Sequence, residues 1–405
     1  MSSRGKSGEF LSNLRAIILK AFLTILLLTP VTVFMLVSYF DVMNEPDKHR
    51  PWVSWYDDPA HQIYIGWETE DESIGTVYLG EDPESLSPEK TESTACKIHH
   101  INIEGLNADT LYFYDVRIDD ESIGKGQFRT APTEYTPFSF AMTSDTQQPK
   151  ITKGHHYRIA KAIENRNYTF LSIVGDHIDS GDDKQHFNNF FKTASIYADT
   201  IPFVPVIGNH DERGRMYWFT RYYPNSINKT VIPDFPNGQF YWSFNWSNVH
   251  FTNCHFTHGY SREFTDTQMD WLENDLKSAK DMPFRIVSFH CPIVGSGFYG
   301  RNENLLNIML PLLKQYNVSA VISGHEHHWE RGLFLNEIHP DNDITYLILG
   351  GGGGAFDPGL RPQPETIIAT PTPCYTEVAA SSNSLTFRTL TLEGNLIDTF
   401  FMGVS

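Results

Sequence analysis

The 405-residue chain is long enough for two domains, and with 40% hydrophobic and 20% charged residues its composition is that of a folded protein, which excludes a disordered one. Its formal net charge of −18 sets a repulsive field against any polyanion, so no nucleic acid is expected as a partner. A small phosphorylated substrate stays open, because bound metal cations invert the local potential.

In chain order, residues 21–40 (AFLTILLLTPVTVFMLVSYF) carry no charge, and about 20 such residues suffice to cross a bilayer as a helix. Pro30 is tolerable there. Arg4, Lys6, Arg15 and Lys20 stand before the run against Glu9 alone, while Asp41 and Glu45 follow it. The positive-inside rule then predicts a cytoplasmic tail over 1–20, a single-pass membrane anchor over 21–40, a linker over 41–50, and the remainder outside the cytoplasm. A retained anchor suits the segment better than a cleaved leader, since the run is long and no small-residue cleavage site follows it. Sequons at Asn167, Asn228, Asn245 and Asn317 fit an exported surface. Cys96, Cys254, Cys291 and Cys374 are too scattered for a disulfide framework; Cys254 and Cys291, on predicted core strands, are either bridged or buried free thiols.

Residues 51–132 read as short strands of period-two alternation (QIYIGWET, GTVYLG, KIHHINIE, LYFYDVRI, GQFRT) and predict a small all-β sandwich. Gly105–Tyr114 reads as a corner in which a tyrosine ties loop to strand. His99 and His100 fall in this sandwich with no role expected of them. Pro132 to Pro137 marks a boundary, and over 136–405 the pattern turns to α/β. Helices are expected at His156–Asn165, Lys184–Ala198, Thr265–Ala279 and Glu303–Tyr316, with Thr265 and Gln268 as a capping box. Strands return in TYLILG, SLTFRTLTL and LIDTFFM, behind a Gly350–Gly354 loop. Trp242, Trp246 and Trp271 are read as core.

The chemistry is concentrated where apolar strands stop. FSFAMTS ends on Asp145, FLSIVG on Asp176, FVPVIG on Asn209-His210-Asp211, FRIVSF on His290 and AVISG on His325-Glu326-His327. Open α/β sheets build sites at the carboxyl ends of their strands, and five candidate strands here each deliver a side chain able to bind metal. Taken singly, each residue could merely cap a helix or end a strand; five in series favour a common site. Carboxylates, a carboxamide and imidazoles together suit Mn, Fe or Zn better than Mg or Ca. Two such metals, about 3.5–4 Å apart, would clamp a phosphoryl group and generate hydroxide at neutral pH.

The series SDTQ (Ser144–Gln147), GDHID (Gly175–Asp179), GNHD (Gly208–Asp211), FHCP (Phe289–Pro292) and GHEHHWER (Gly324–Arg331) resembles the calcineurin-like metallophosphoesterase family. The last motif, its glycine-rich loop and the preceding sandwich are most similar to the purple acid phosphatase branch. The resemblance implies an α/β (α+β) metallophosphoesterase core, a β-sandwich flanked by helices, preceded by a fibronectin-III-like domain. It also implies two divalent or mixed-valence metals (Mn, Fe or Zn), with Asp176 bridging. Asp145 and His327 would hold the first metal; Asn209, His290 and His325 would hold the second. His210 would face the scissile phosphate and Asp211 would orient His210. Gln147 stands where the family at large has histidine, and either ligates the first metal or acts as a structural amide. Asp179 stands where purple acid phosphatases have tyrosine, so no tyrosinate colour is expected. His177, His255 and His258 are candidates for a substrate wall, against the alternative of packed histidines. Glu330 and Arg331 read as an ion pair behind the last motif.

The function implied is hydrolysis of phosphate monoesters by a two-metal-activated hydroxide. The alternatives are a phosphodiesterase acting on nucleotide or lipid head-group esters and, in another class, a catalytically idle cell-surface binding module.

Overall fold

The structure is a computed structural model and describes residues 50–147, 154–223, 240–257 and 264–403. Residues 21–40 lie outside these. Among the described residues no helix is long and apolar enough to cross a membrane. The longest, Asp266–Ser278 and Glu303–Gln315, have 13 residues each. At 1.5 Å per residue they span about 20 Å, short of a hydrocarbon core of roughly 30 Å. The expected single-pass placement is corrected accordingly.

Seven strands open the described chain: β1 (Trp52–Ser54), β2 (Gln62–Ser73), β3 (Gly75–Gly80), β4 (Ser87–Thr91), β5 (Cys96–Glu104), β6 (Leu111–Ile118) and β7 (Glu121–Arg129). They form two antiparallel sheets, ordered β1-β2-β5 and β4-β3-β6-β7. The period-two alternation buries one face of each: Ile63, Ile65 and Trp67 from β2, Val77 and Leu79 from β3, and Ile101 and Ile103 from β5 share one core. The tyrosine corner is present, with the Asn107 amide donating to the Tyr112 hydroxyl at 3.0 Å.

A two-sheet α/β layer follows. The strands β8 (Phe138–Thr143), β9 (Leu171–Val174) and β10 (Phe203–Val206) run parallel, and β18 (Cys374–Ala380), β19 (Ser384–Thr391) and β20 (Leu396–Gly403) extend the sheet in the order β10-β9-β8-β18-β19-β20. The second sheet has the order β11-β12-β13-β14-β16-β15-β17, from β11 (Trp242–Trp246), β12 (Val249–Asn253), β13 (Phe284–Ser288), β14 (Ala320–Ser323), β15 (Trp329–Phe334), β16 (Ile344–Leu349) and β17 (Thr366–Thr370). Its β12, β13, β14 and β16 are mutually parallel. Between strands run α1 (His155–Ile163), α2 (Lys184–Ala194), α3 (Phe219–Tyr222), α4 (Asp266–Ser278) and α5 (Glu303–Gln315). The Thr265 hydroxyl caps α4 by accepting from the Gln268 amide, but the Gln268 side chain turns to the His255 backbone and does not close the expected box.

The two parts share one continuous core. Trp55 stands edge-on to Phe170 and Phe244 and lies 5.2 Å from Trp246, and Trp52 packs 4.2 Å from Phe191. Polar ties reinforce this: Tyr114 donates to the Asp199 carbonyl, and buried Glu68 receives the Tyr222 hydroxyl and the Lys184 ammonium. Trp55→Ala is therefore expected to cost about 3–5 kcal/mol, the usual loss for a buried aromatic. Sandwich and α/β layer should still melt in one transition; two resolved calorimetric peaks in the wild type would refute the shared core.

Candidate metal centre and active site

The parallel strands of both sheets end on the same side of the molecule. The chain leaves β8 at Asp145, β9 at Asp176 and β14 at His325, and these three adopt positive φ of 56°, 50° and 68°. Left-handed backbone costs an L-residue roughly 1–3 kcal/mol and persists where surrounding structure imposes it, often at functional sites. Two glycines make the packing possible. Gly175 (φ 89°) has the His290 ring where a Cβ would stand, and Gly354 likewise faces the His327 ring.

The side chains converge. Asp176 Oδ2 lies 3.2 Å from His290 Nε2 and 3.9 Å from His210 Nε2, while its Oδ1 accepts the His210 amide at 2.8 Å. Asp176, His290 and His325 bring their donor atoms within 4.8 Å of one another, all three buried. Asn209 Oδ1 meets His325 Nδ1 at 2.8 Å. Asp145 Oδ1 stands 3.5 Å from His327 Nε2 and 3.9 Å from His290 Nε2, and its carboxylate accepts the His325 amide. Gln147 Nε2 is 3.4 Å from His327 Nε2.

Backbone carbonyls set the tautomers. His290 Nδ1 donates to Val174 at 2.9 Å and His327 Nδ1 to Ala355 at 2.7 Å, so each neutral ring turns an Nε2 lone pair inward, as a metal ligand requires. His290 Nε2 makes no hydrogen bond although fully buried, and neither does Gln147 Oε1. Reversing the Gln147 amide would set Oε1 beside His327 Nε2, two lone pairs directed at one cation. The donor set thus fits metal binding.

Its electrostatics agree. Burial works to raise the Asp176 pKa, but His290, with His210 and His325, outweighs it and holds the carboxyl below its usual range. Burial opposes charge on His290, yet Asp176 and Asp145 lift its pKa to about 10; against the same burial penalty, Asp145 lifts His327 to about 9. The pocket therefore attracts positive charge. Burial raises the pKa of Glu326, whose carboxylate gathers the amides of Gly297, Tyr299 and Gly300 and so fixes the 295–300 loop at the rim. Tyr299 lies over His325 with ring centroids 4.3 Å apart, and neighbouring Phe298 is 85% exposed.

Several expected roles change. The Asp211 carboxylate does not reach His210; it accepts from the Gly208 amide and from the His177 amide and Nδ1, all at 2.9–3.0 Å. His210 is held by the Asp179 carbonyl, which accepts from its Nδ1 at 2.6 Å. His177 is buried among Phe190, Phe219 and Tyr223, so it is no substrate wall. His255 is buried too, with Nε2 on Glu212 at 2.7 Å and Nδ1 accepting the Phe240 amide. His258 lies outside the described residues. Glu330 and Arg331 alternate across their strand and take different partners: Glu330 binds His328, Tyr346 and Thr366, and Arg331 binds Asp398. Cys254 and Cys291 are free thiols. Sequence reading missed Arg213, whose Nη2 is 3.4 Å from His210 Nε2; its position three residues after His210 was the available signal.

This fold and this convergence of donors define a metal-dependent phosphoester hydrolase. Residues 138–329 match the sequence model of the calcineurin-like phosphoesterases, and the chain is similar to purple acid phosphatases. It is 28% identical over 316 residues to purple acid phosphatase 18 of Arabidopsis thaliana, covering 76% of this chain and 69% of that protein. It is 25% identical over 233 residues to tartrate-resistant acid phosphatase type 5 of Mus musculus, covering 51% and 67%. The solved purple acid phosphatase PPD1 of yellow lupin (Lupinus luteus) superposes with a TM-score of 0.70 at 16% identity, covering 89% of this chain and 74% of that one.

Proposed function

We propose that the chain hydrolyses phosphate monoesters at a binuclear metal centre. Asp145, His327 and Gln147 would hold one metal, Asn209, His290 and His325 would hold the other, and Asp176 would serve both. The observation carrying this is that Asp176, His290 and His325 bring buried donor atoms within 4.8 Å of one another, with Asn209 against His325 and Asp145 and Gln147 against His327, while the buried His290 Nε2 and Gln147 Oε1 make no hydrogen bond. When bound, Mn, Fe or Zn would supply charge to the phosphoryl oxygens and lower the pKa of a water.

The chain's own residues do the rest. His210, its Nδ1 committed to the Asp179 carbonyl, presents Nε2 beside Asp176. In its protonated form Nε2–H donates to the departing ester oxygen, while the oxygen of water forms the new bond to phosphorus. Arg213, within reach of the same Nε2, offers a second positive group for a phosphoryl oxygen. The aromatic rim of Tyr299 and Phe298 suits an aryl or other apolar leaving group. The strand order β1-β2-β5 over β4-β3-β6-β7, with its tyrosine corner, supports a fibronectin-III-like reading of residues 51–132 ahead of a catalytic domain over 136–405.

The test is phosphate release from para-nitrophenyl phosphate by the full chain, stripped of metal and then reloaded with Mn, Zn or Fe. Turnover that vanishes on stripping and returns on loading is expected. A bis-ester substrate turned over faster than the mono-ester would reverse the substrate class, and no turnover with any metal would sink the reading.

A further inference from the structure

The sandwich carries a second convergence of metal-binding side chains, separate from the phosphoesterase centre. Glu92, just past β4, meets Cys96 and His99 of β5, and their donor atoms lie within 4.8 Å of one another. Cys96 Sγ is 3.4 Å from His99 Nδ1 and 3.6 Å from Glu92 Oε1, and Glu92 Oε2 is 2.7 Å from the same Nδ1. His99 is fully buried, its ring stacked 4.7 Å from Trp67. The Gly75 amide steadies the carboxylate at 2.8 Å.

Three features separate this from an ordinary ion pair. Thiol and carboxylate both address Nδ1, whereas a nucleophilic Cys-His-acid relay needs them on opposite ring nitrogens. The Thr69 hydroxyl stands 2.8 Å from both the Asp71 carbonyl and His99 Nε2. With the hydroxyl's single proton on the carbonyl, Nε2 either accepts from the Ser73 hydroxyl at 3.4 Å or donates to Thr69; the second tautomer leaves an Nδ1 lone pair facing a carboxylate, the form that a cation between them would select. Finally, ligands about 2.0–2.3 Å from a tetrahedral zinc lie roughly 3.4–3.6 Å apart, close to both sulfur distances here.

We infer that Glu92, Cys96 and His99 form a zinc site, with solvent as the fourth ligand, that ties the β4–β5 connection to the buried face of the sandwich. Closing the tetrahedron requires that Glu92 Oε2 draw back from Nδ1 and that the Cys96 thiol give up its proton as the metal binds. The donor mix of thiolate, imidazole and carboxylate selects zinc over the hard cations.

The full chain, stripped of metal, is titrated with Co²⁺. A near-ultraviolet thiolate-to-cobalt band is expected, saturating only as a third equivalent beyond the two of the phosphoesterase centre is bound, and abolished by Zn²⁺; the phosphoesterase ligand set contains no thiolate and is silent in this band. Cys96→Ser should lose the band and one bound equivalent while phosphate release stays unchanged. Glu92→Gln should keep the band and weaken binding by at least the roughly 10–100-fold that loss of even an outer-shell partner costs. No band in the wild-type chain, or a band that survives Cys96→Ser, overturns the site. Should Cys96→Ser fail to fold, the wild-type titration and Glu92→Gln decide the matter.

Discussion

Asp176→Asn is expected to reduce metal-dependent phosphate release by at least about 10³-fold, beyond the roughly 10²–10³ that loss of one oriented donor costs. The substitution is nearly isosteric, and an amide oxygen can still accept the His210 N–H, so the strand end keeps its shape. What disappears is the negative charge at the centre of the cluster, which His290, His210 and His325 all face. Without it the pocket loses much of its attraction for cations, so metal content should fall together with activity. Metal analysis of the purified variant separates this from a purely chemical role. Full metal content with activity within tenfold of wild type would overturn the proposal that Asp176 serves both metals.

The convergence of donor side chains was legible in the sequence because each donor ends an apolar run, so strand and donor announce one another. The sandwich was legible through its alternation, and the helix spans fell within a few residues of expectation for the same reason. What periodicity does not encode is where a side chain turns once its backbone is placed. Asp211 follows His210 directly, yet the turn at Gly208 folds its carboxylate back onto a backbone amide and His177. His177 and His255 occupy strand ends, but their rings enter aromatic and ion-paired interiors, and nothing local in their sequence distinguishes that from facing substrate. The Glu92, Cys96 and His99 cluster went unread because its members carry no strand-end signature; the Cys-x-x-His spacing was its only trace. The 295–300 rim was equally invisible, since Glu326 organises it from the neighbouring strand end through three amides.

His210→Ala is expected to lower kcat by roughly 10²–10⁴-fold, the range for loss of a general acid, while metal content stays unchanged. Its neighbours should then divide in a way that tests how the imidazole is held. Asp179 grips His210 through its backbone carbonyl, and its carboxylate is half-exposed at 4.0 Å. Asp179→Asn should therefore leave kcat within a few-fold, as a surface change of this kind touches neither the carbonyl nor the ring. Asp211→Asn should act differently again. Its fully buried carboxylate accepts three N–H groups, and an amide presents one acceptor and one donor to that same set. At least one buried donor is left unpaired, at about 1–3 kcal/mol, so the loss should appear in Tm ahead of kcat. If Asp211→Asn instead matched His210→Ala in kcat with an unchanged Tm, the carboxylate would regain the orienting role that the structure gives to the Asp179 carbonyl.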